Sequence, residues 1–153
     1  MLFNKIVVPV DFSDHSEKAL EWALTLAQAR NTPLVLCHVI ARPPMEWLGR
    51  SSLDEHKIED GLRAEAEKRL QAQTARQAIP IRSVVVYGGP PATEICRLAE
   101  EEQADLIVMG TQGKTGLSHL LMGSVAERVV RHAPCPVLTV RVPTEGNAAP
   151  GSR

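Results

Sequence analysis

The sequence predicts an α/β fold, a single doubly wound parallel sheet of five strands in the order 3-2-1-4-5 with helices on both faces. Short apolar runs alternate along the chain with segments whose apolar residues recur at helical spacing, which is typical of parallel α/β architecture. Right-handed crossovers restrict such a chain to a doubly wound sheet. Its 153 residues fit one domain. We expect this domain to span residues 1–142 and the aperiodic residues 143–153 to form a disordered tail.

Five apolar runs predict the strands, and the first, a continuous β-branched run, is typical of a strand buried on both faces. They are residues 3–10 (FNKIVVPV), 34–40 (LVLCHVI), 81–87 (IRSVVVY), 104–109 (ADLIVM) and 136–142 (PVLTVRV). The last of these would lie at an edge of the sheet, and a long apolar edge favours pairing with another chain. We therefore expect a homodimer through strand 136–142 about a two-fold axis.

Capping signals predict where the first two helices begin. Asp14, with Glu17 three residues on, is a candidate N-cap for a helix that runs to about residue 30. Residues 41–50, rich in proline, read as a loop. A capping box beginning at Ser52 then opens a polar second helix. One narrow apolar stripe follows along this helix, formed by Ile58, Leu62, Ala66 and Leu70.

Two further helices are predicted in the second half of the chain. Pro90 or Pro91 suits the first turn of a helix, where a missing N–H has no consequence. Ile95, Leu98 and Ala99 would give this helix its buried face. A fourth helix is expected over residues 124–131, which repeat apolar residues at helical spacing.

Composition argues against several classes of function. The formal net charge is −1, the pI is near 6.5 and aromatic residues make up 3%, so neither a basic surface nor stacking platforms favour nucleic-acid binding. No apolar stretch reaches the length of a membrane span, and the first residues lack the pattern of a signal peptide. The three cysteines and five histidines are scattered without metal-ligand spacing. We expect a cytoplasmic protein with reduced thiols, no bound metal of its own and no nucleic-acid or membrane partner.

A glycine-rich segment leaves the fourth predicted strand where topology predicts a ligand. In the order 3-2-1-4-5 the switch point lies between strands one and four, and ligands bind outside the carboxyl ends of the strands there. Those ends are Pro9-Val10-Asp11 and Met109-Gly110. The segment is not the P-loop of nucleotide hydrolases. That motif would require a glycine at position 108, which is Val108.

The glycines suit an anion. Gly110 and Gly113 can adopt positive φ and let a bulky anion approach the backbone. Gly123 and Ser124 precede a helix whose free N–H groups and dipole suit a phosphate, and Ser124 can cap that helix or donate its hydroxyl. Each glycine taken alone is better explained as a turn residue, but their convergence at a switch point favours an anion site. Lys114 either neutralises a phosphate or is solvated.

Asp11 is the candidate for contact with a sugar. A carboxylate at a strand end can accept two hydrogen bonds from ribose hydroxyls, as in dinucleotide-binding folds. The alternative is a helix cap, which Ser13 or Asp14 could already supply.

The spacing G-x2-G-x9-G-S, formed by Gly110, Gly113, Gly123 and Ser124, resembles the nucleotide-binding signature of the universal stress proteins. The similarity continues in IVVPVDFS, LVLCHVI, ADLIVMGTQGKTG and GSVAERVVRHAPCPVLTVR. It implies a Rossmann-like fold of the adenine nucleotide α-hydrolase type. It also implies membership of the ATP-binding branch of the family, a role in stress response, and a homodimer through the last strand.

The resemblance also implies a role for each site residue. Asp11 would contact the nucleoside, the backbone at Val39 the adenine, and Gly110 would lie near the ribose. The phosphates would be held by the other three signature residues. The complete predicted set is Pro9, Val10, Asp11, Val39, Met109, Gly110, Gly113, Gly123, Ser124 and Val125. The implied cofactor is ATP, and whether Mg²⁺ accompanies it, or ADP or AMP replaces it, is left open.

The same segment argues for binding without rapid turnover. Phosphoryl transfer to water needs a positioned base or a carboxylate-held metal, and residues 110–124 contain no Asp or Glu. We expect at most slow ATP hydrolysis, assign no catalytic residue, and favour a sensor or switch that reports nucleotide occupancy. The alternatives are a dimeric interaction module whose glycines are turns, a weak ATPase, or a nucleotidyl-transferring enzyme. The last would need an SGG-x-D-S loop after the first strand, and VPVDFSD lacks it.

Overall fold

The computed structural model describes residues 3–42, 52–75, 77–112 and 122–142. The predicted loop over 41–50 is corrected at its start, because Ala41 ends the second strand. Its residues 43–50, Gly113, Lys114 and the predicted tail over 143–153 fall outside the described ranges. The elements are β1 (Ile6–Pro9), α1 (Asp14–Gln28), β2 (Leu34–Ala41), α2 (Ser52–Thr74), β3 (Ile81–Gly88), α3 (Pro91–Glu101), β4 (Leu106–Gly110), α4 (Ser124–His132) and β5 (Val137–Val140).

The five strands form one parallel sheet in the order β3-β2-β1-β4-β5, so the predicted fold class and strand order are confirmed. In the central strand, Ile6 lies opposite Leu34 of β2 on one side and Leu106 of β4 on the other. The switch point is therefore between β1 and β4, and their carboxyl ends lie side by side.

Each face of the sheet carries its own apolar core. Ile6 and Val8 are fully buried in a cluster with residues of α1 and with Leu70 of α2. Val7, also fully buried, belongs to the opposite cluster with Ile95 of α3 and residues of α4. Because successive side chains of β1 enter different cores, the strand is apolar at every position rather than at alternate ones.

The first and the last strand are both shorter than predicted. β1 begins at Ile6 rather than at residue 3, because the Asp105 carboxylate accepts the N–H groups of Asn4 and Lys5 at 2.7 and 3.2 Å. β5 ends at Val140 rather than at residue 142, since Val140 lies opposite the last residue of β4. Beyond that point β5 has no neighbouring strand in β4 to pair with.

One helix prediction is corrected. The N-cap of α1 is Ser13, not Asp14: the Ser13 backbone is extended and its side chain accepts from the Ser16 N–H at 3.3 Å. Asp14 is the first helical residue, where its charge suits the helix dipole.

In α2 the apolar stripe is buried over half its length. Ala66 and Leu70 lie in or against the core, whereas Ile58 and Leu62 are about half exposed, at 51% and 46%. The first half of this helix thus presents apolar side chains to solvent.

Candidate functional site

A cavity of about 310 Å³ opens at the carboxyl ends of β1 and β4, which is where the strand order places a ligand. β2, α3 and the first turn of α4 complete its walls. Nine of the ten predicted site residues line it: Pro9, Val10, Asp11, Val39, Met109, Gly110, Gly123, Ser124 and Val125. The tenth, Gly113, lies outside the described residues.

The floor of the cavity is apolar. Val10, Cys37 and Met109 are buried core residues that reach it from three adjacent strands, and Val39 and Ile95 extend it toward α3. Burial raises the pKa of the Cys37 thiol to about 12, so this side chain is a neutral, apolar wall rather than a nucleophile. The floor suits the flat face of a base or another apolar group.

Asp11 carries the charge at the mouth, since no other described lining residue has a charged side chain. One carboxylate oxygen, Oδ1, accepts from the Ser13 N–H at 3.1 Å and from the Ser13 hydroxyl at 2.5 Å. The Asp11 N–H in turn donates to the Ser16 hydroxyl at 3.3 Å. Asp11 therefore braces the turn into α1 through one oxygen, and this bracing fixes the direction of its carboxylate.

The turn after β1 contains a strained residue that the sequence did not reveal. Phe12 has φ 63°, in the left-handed region that bulky residues rarely adopt. The centroid of its ring lies 4.6 Å from the centroid of the His38 ring. The Cζ atom of the Arg69 guanidinium lies 4.0 Å from the centroid of the Phe12 ring. Nδ1 of His38 lies 2.7 Å from the Val10 carbonyl oxygen. Contacts from β2 and α2 thus stabilise the conformation that places Asp11 at the cavity.

A glycine is required at position 110 because α1 packs closely against it, not because its backbone dihedral angles are unusual. Its φ is not in the left-handed region, so Gly110 does not use the positive φ that a glycine can adopt. A Cβ here would lie 2.9 Å from the backbone carbon, oxygen and Cβ of His15. The absence of a side chain lets α1 approach the end of β4, which forms one wall of the cavity.

The first turn of α4 faces the cavity. Gly123 is its N-cap, in an extended conformation with no side-chain capping hydrogen bond. Of the two roles considered for Ser124, capping this helix is therefore excluded, and donation by its hydroxyl stays a prediction. Ser124, Val125 and Ala126 are its first helical residues and line the cavity. Their N–H groups have no partner within the helix and form the positive end of its dipole. Such a helix end favours an anion.

The model of the universal stress protein family matches residues 2–141. The chain belongs to that family. It is 39% identical over 146 residues to universal stress protein MJ0531 of Methanocaldococcus jannaschii, covering 93% of this chain and 84% of the relative. A Thermus aquaticus universal stress protein, from the region 3′ of a sulfhydrylase gene, is 36% identical over 92% of this chain and all of its own.

Solved structures share the fold of this universal stress protein domain. Protein MJ0577 of Methanocaldococcus jannaschii superposes with a TM-score of 0.85 at 29% identity, covering 95% of this chain and all of MJ0577. A universal stress protein crystallised in complex with cAMP superposes with a TM-score of 0.66 at 26% identity, covering 92% of this chain and 99% of its own.

Sequence reasoning missed several residues of the cavity, which are Ser16, Cys37, Pro91, Ile95, Thr111, Gln112 and Ala126. Thr111, Gln112 and Ala126 adjoin predicted residues in sequence, and Cys37 alternates with Val39 along β2, so strand alternation and the helix start at 124 could have indicated these four. Among the described residues no group of three or more His, Cys, Asp or Glu side chains could hold a metal. Nor is any helix of the described part long and apolar enough to cross a membrane.

Proposed function

We propose that this universal stress protein binds ATP in the cavity and acts as a cytoplasmic sensor or switch of nucleotide occupancy in stress response. The proposal rests on three features that lie together in one cavity. An apolar floor, a carboxylate fixed at a strand end and an uncapped helix N-terminus meet in one cavity at the switch point. The relative bound to cAMP shows a member of the same family holding an adenine nucleotide.

The polarity of the cavity suggests how the nucleotide lies. Adenine would rest on the apolar floor beside Val39 and Met109, the ribose hydroxyls would reach Asp11, and the phosphates would lie at the first turn of α4. In this orientation the negatively charged phosphates of the nucleotide lie at the positive N-terminal end of α4. The reverse direction would bring phosphates to the Asp11 carboxylate.

The residues that line the cavity also favour slow hydrolysis of bound ATP. Hydrolysis requires a group that orients water, commonly with a carboxylate-held metal. Asp11 is the carboxylate among the described lining residues, and its Oδ1 is engaged by Ser13. Mg²⁺ accompanying ATP would therefore be ligated mainly by phosphate oxygens and water.

Nucleotide analysis of the purified protein tests the proposal. Denaturation should release ATP close to one per chain, or the emptied protein should bind added ATP in calorimetry. Asp11→Asn should weaken binding, whereas Asp14→Asn, a matched change on the exposed first turn of α1, should not. A parent that neither carries nor binds ATP would refute the proposal and leave the interaction module as the better account.

A homodimer through β5 is proposed on a separate observation. The carbonyls of Pro136 and Val140 accept from β4 and from Thr111, at 3.0 and 2.9 Å. By alternation, the N–H and carbonyl groups of Val137 and Thr139 point away from β4, along the open edge of the sheet. A second copy of β5 could pair with these groups.

A further inference from the structure

We propose that the hydroxyl of Thr111 is an anion-binding group that donates to a phosphate oxygen held at the N-terminus of α4. It would thereby make the cavity select phosphorylated ligands over unphosphorylated ones. The inference rests on the proposed function and adds to it a residue outside the glycine signature.

The first observation is a buried hydroxyl without a partner. Thr111 is 6% exposed and lines the cavity, yet its Oγ1 has no hydrogen-bond partner among the described residues. Buried polar side-chain atoms are nearly always hydrogen-bonded, and an exception calls for an explanation. A ligand atom in the cavity supplies one.

The second observation is that the Thr111 backbone is fixed on both sides. Its N–H donates to the Val140 carbonyl at 2.9 Å, and its carbonyl accepts from the Gly123 N–H at 2.6 Å. Gly110 directs its missing side chain toward His15 of α1, so by alternation Thr111 faces the opposite side, where α4 and the cavity lie. The Thr111 side chain is therefore held on the face of the sheet where α4 begins.

The surroundings decide which ligand group the hydroxyl meets. The first-turn N–H groups of α4 lack a side-chain cap, and they attract negative charge. The charged residue of the described lining, Asp11, comes from β1 rather than from this corner. An oxygen of a phosphate at the helix end can accept from the Thr111 hydroxyl in addition to the N–H groups. A neutral nucleoside has no atom to place there.

The test compares Thr111→Val, which keeps the shape without the hydroxyl, with Thr111→Ser, which keeps the hydroxyl. Thr25→Val is the matched control, because Thr25 is exposed on α1 and its hydroxyl donates to the Glu21 carbonyl. Calorimetry would give dissociation constants for ATP, AMP, adenosine and inorganic tripolyphosphate. Thermal unfolding without ligand would be measured for each variant.

We expect Thr111→Val to weaken ATP, AMP and tripolyphosphate binding about 10- to 100-fold, the usual loss for a hydrogen bond to a charged group. Adenosine binding should change less than threefold, roughly, and Thr111→Ser and Thr25→Val should bind like the parent. Without ligand, Thr111→Val should be at least as stable as the parent, since it removes a buried hydroxyl that lacks a partner.

Equal losses for ATP and adenosine, or unchanged ATP affinity in Thr111→Val, would overturn the inference. So would a variant that is destabilised without ligand and binds every ligand more weakly, because this would indicate a structural role. Tripolyphosphate separates the two proposals. If the parent binds it through Thr111 but does not bind ATP, the proposed function fails and the anion-binding role of Thr111 stands. If the parent binds neither, both fail.

Discussion

Replacing Gly110 by alanine tests whether α1 and β4 pack as closely as the structure shows. The new methyl carbon would lie 2.9 Å from three atoms of His15, two of which belong to its backbone. Carbon atoms in favourable contact are separated by about 3.5–4.0 Å. The helix or the strand end must therefore move by roughly half an ångström to one ångström to restore such contacts.

The size of the effect follows from this displacement. Overpacking in a well-packed region costs about 1–3 kcal/mol. For a chain of this size, each kcal/mol lowers Tm by about 2–4 °C. We thus expect Gly110→Ala to unfold about 2–12 °C below the parent.

Gly61→Ala is the matched control. Gly61 lies in α2, exposed to solvent, and a Cβ there would meet nothing within 4 Å. In this helix interior alanine should stabilise the protein by about 0.5–1 kcal/mol. Thermal and urea unfolding followed by circular dichroism would measure both variants. If Gly110→Ala is as stable as the parent, or if both variants shift in the same direction, the proposed close approach of α1 is wrong.

Three further predictions concern pH and assembly. Above about pH 9 the free energy of unfolding should decrease with pH more steeply in the parent than in Cys37→Ala. The difference between the two slopes should be at most about 1.4 kcal/mol per pH unit. Burial raises the Cys37 pKa to about 12, so the folded state retains a proton that the unfolded state releases; parallel slopes in alkaline denaturation would contradict this. The pKa of Asp105 is lowered even though burial raises it, because N–H groups of Asn4 and Lys5 donate to its carboxylate. Asp105→Asn should therefore be less stable than the parent at neutral pH, and this gap should close as acid protonates Asp105; a gap independent of pH in urea titrations would oppose that assignment. Thr139→Pro removes an N–H that points along the open edge of β5, so this variant should be monomeric in light scattering. Thr139→Val, which keeps the N–H, should remain dimeric. If Thr139→Pro is also dimeric, the interface lies elsewhere.

The sheet was predictable because its determinants are local and repetitive. Alternating apolar runs and helical stretches are read directly from the chain, and handedness then restricts their order. Strand and helix ends depend instead on tertiary partners. The start of β1 depends on Asp105, about 100 residues away in sequence, and no local pattern could reveal that interaction.

The location of the cavity was predictable for a topological reason, since parallel strands at a switch point open a crevice at their carboxyl ends. The reasons behind individual residues were not. Gly110 is small because of His15 on a neighbouring helix, and Phe12 adopts positive φ because of contacts from β2 and α2. Whether a hydroxyl such as that of Thr111 is paired depends on three-dimensional neighbours that a single sequence does not encode explicitly.

The main chain of Thr111 joins two regions with different proposed roles. Through its N–H it holds Val140 at the edge strand of the proposed dimer, and through its carbonyl it holds Gly123 at the start of α4. Two hydrogen bonds and a single residue therefore connect the two regions, and a ligand that displaced Gly123 would act on Val140 through them. Ligand binding and self-association would then be thermodynamically linked, and linkage is reciprocal. The apparent affinity for nucleotide would vary with protein concentration, and each nucleotide bound to the dimer would change the dimer dissociation constant by the factor by which dimerisation changes the affinity of that site.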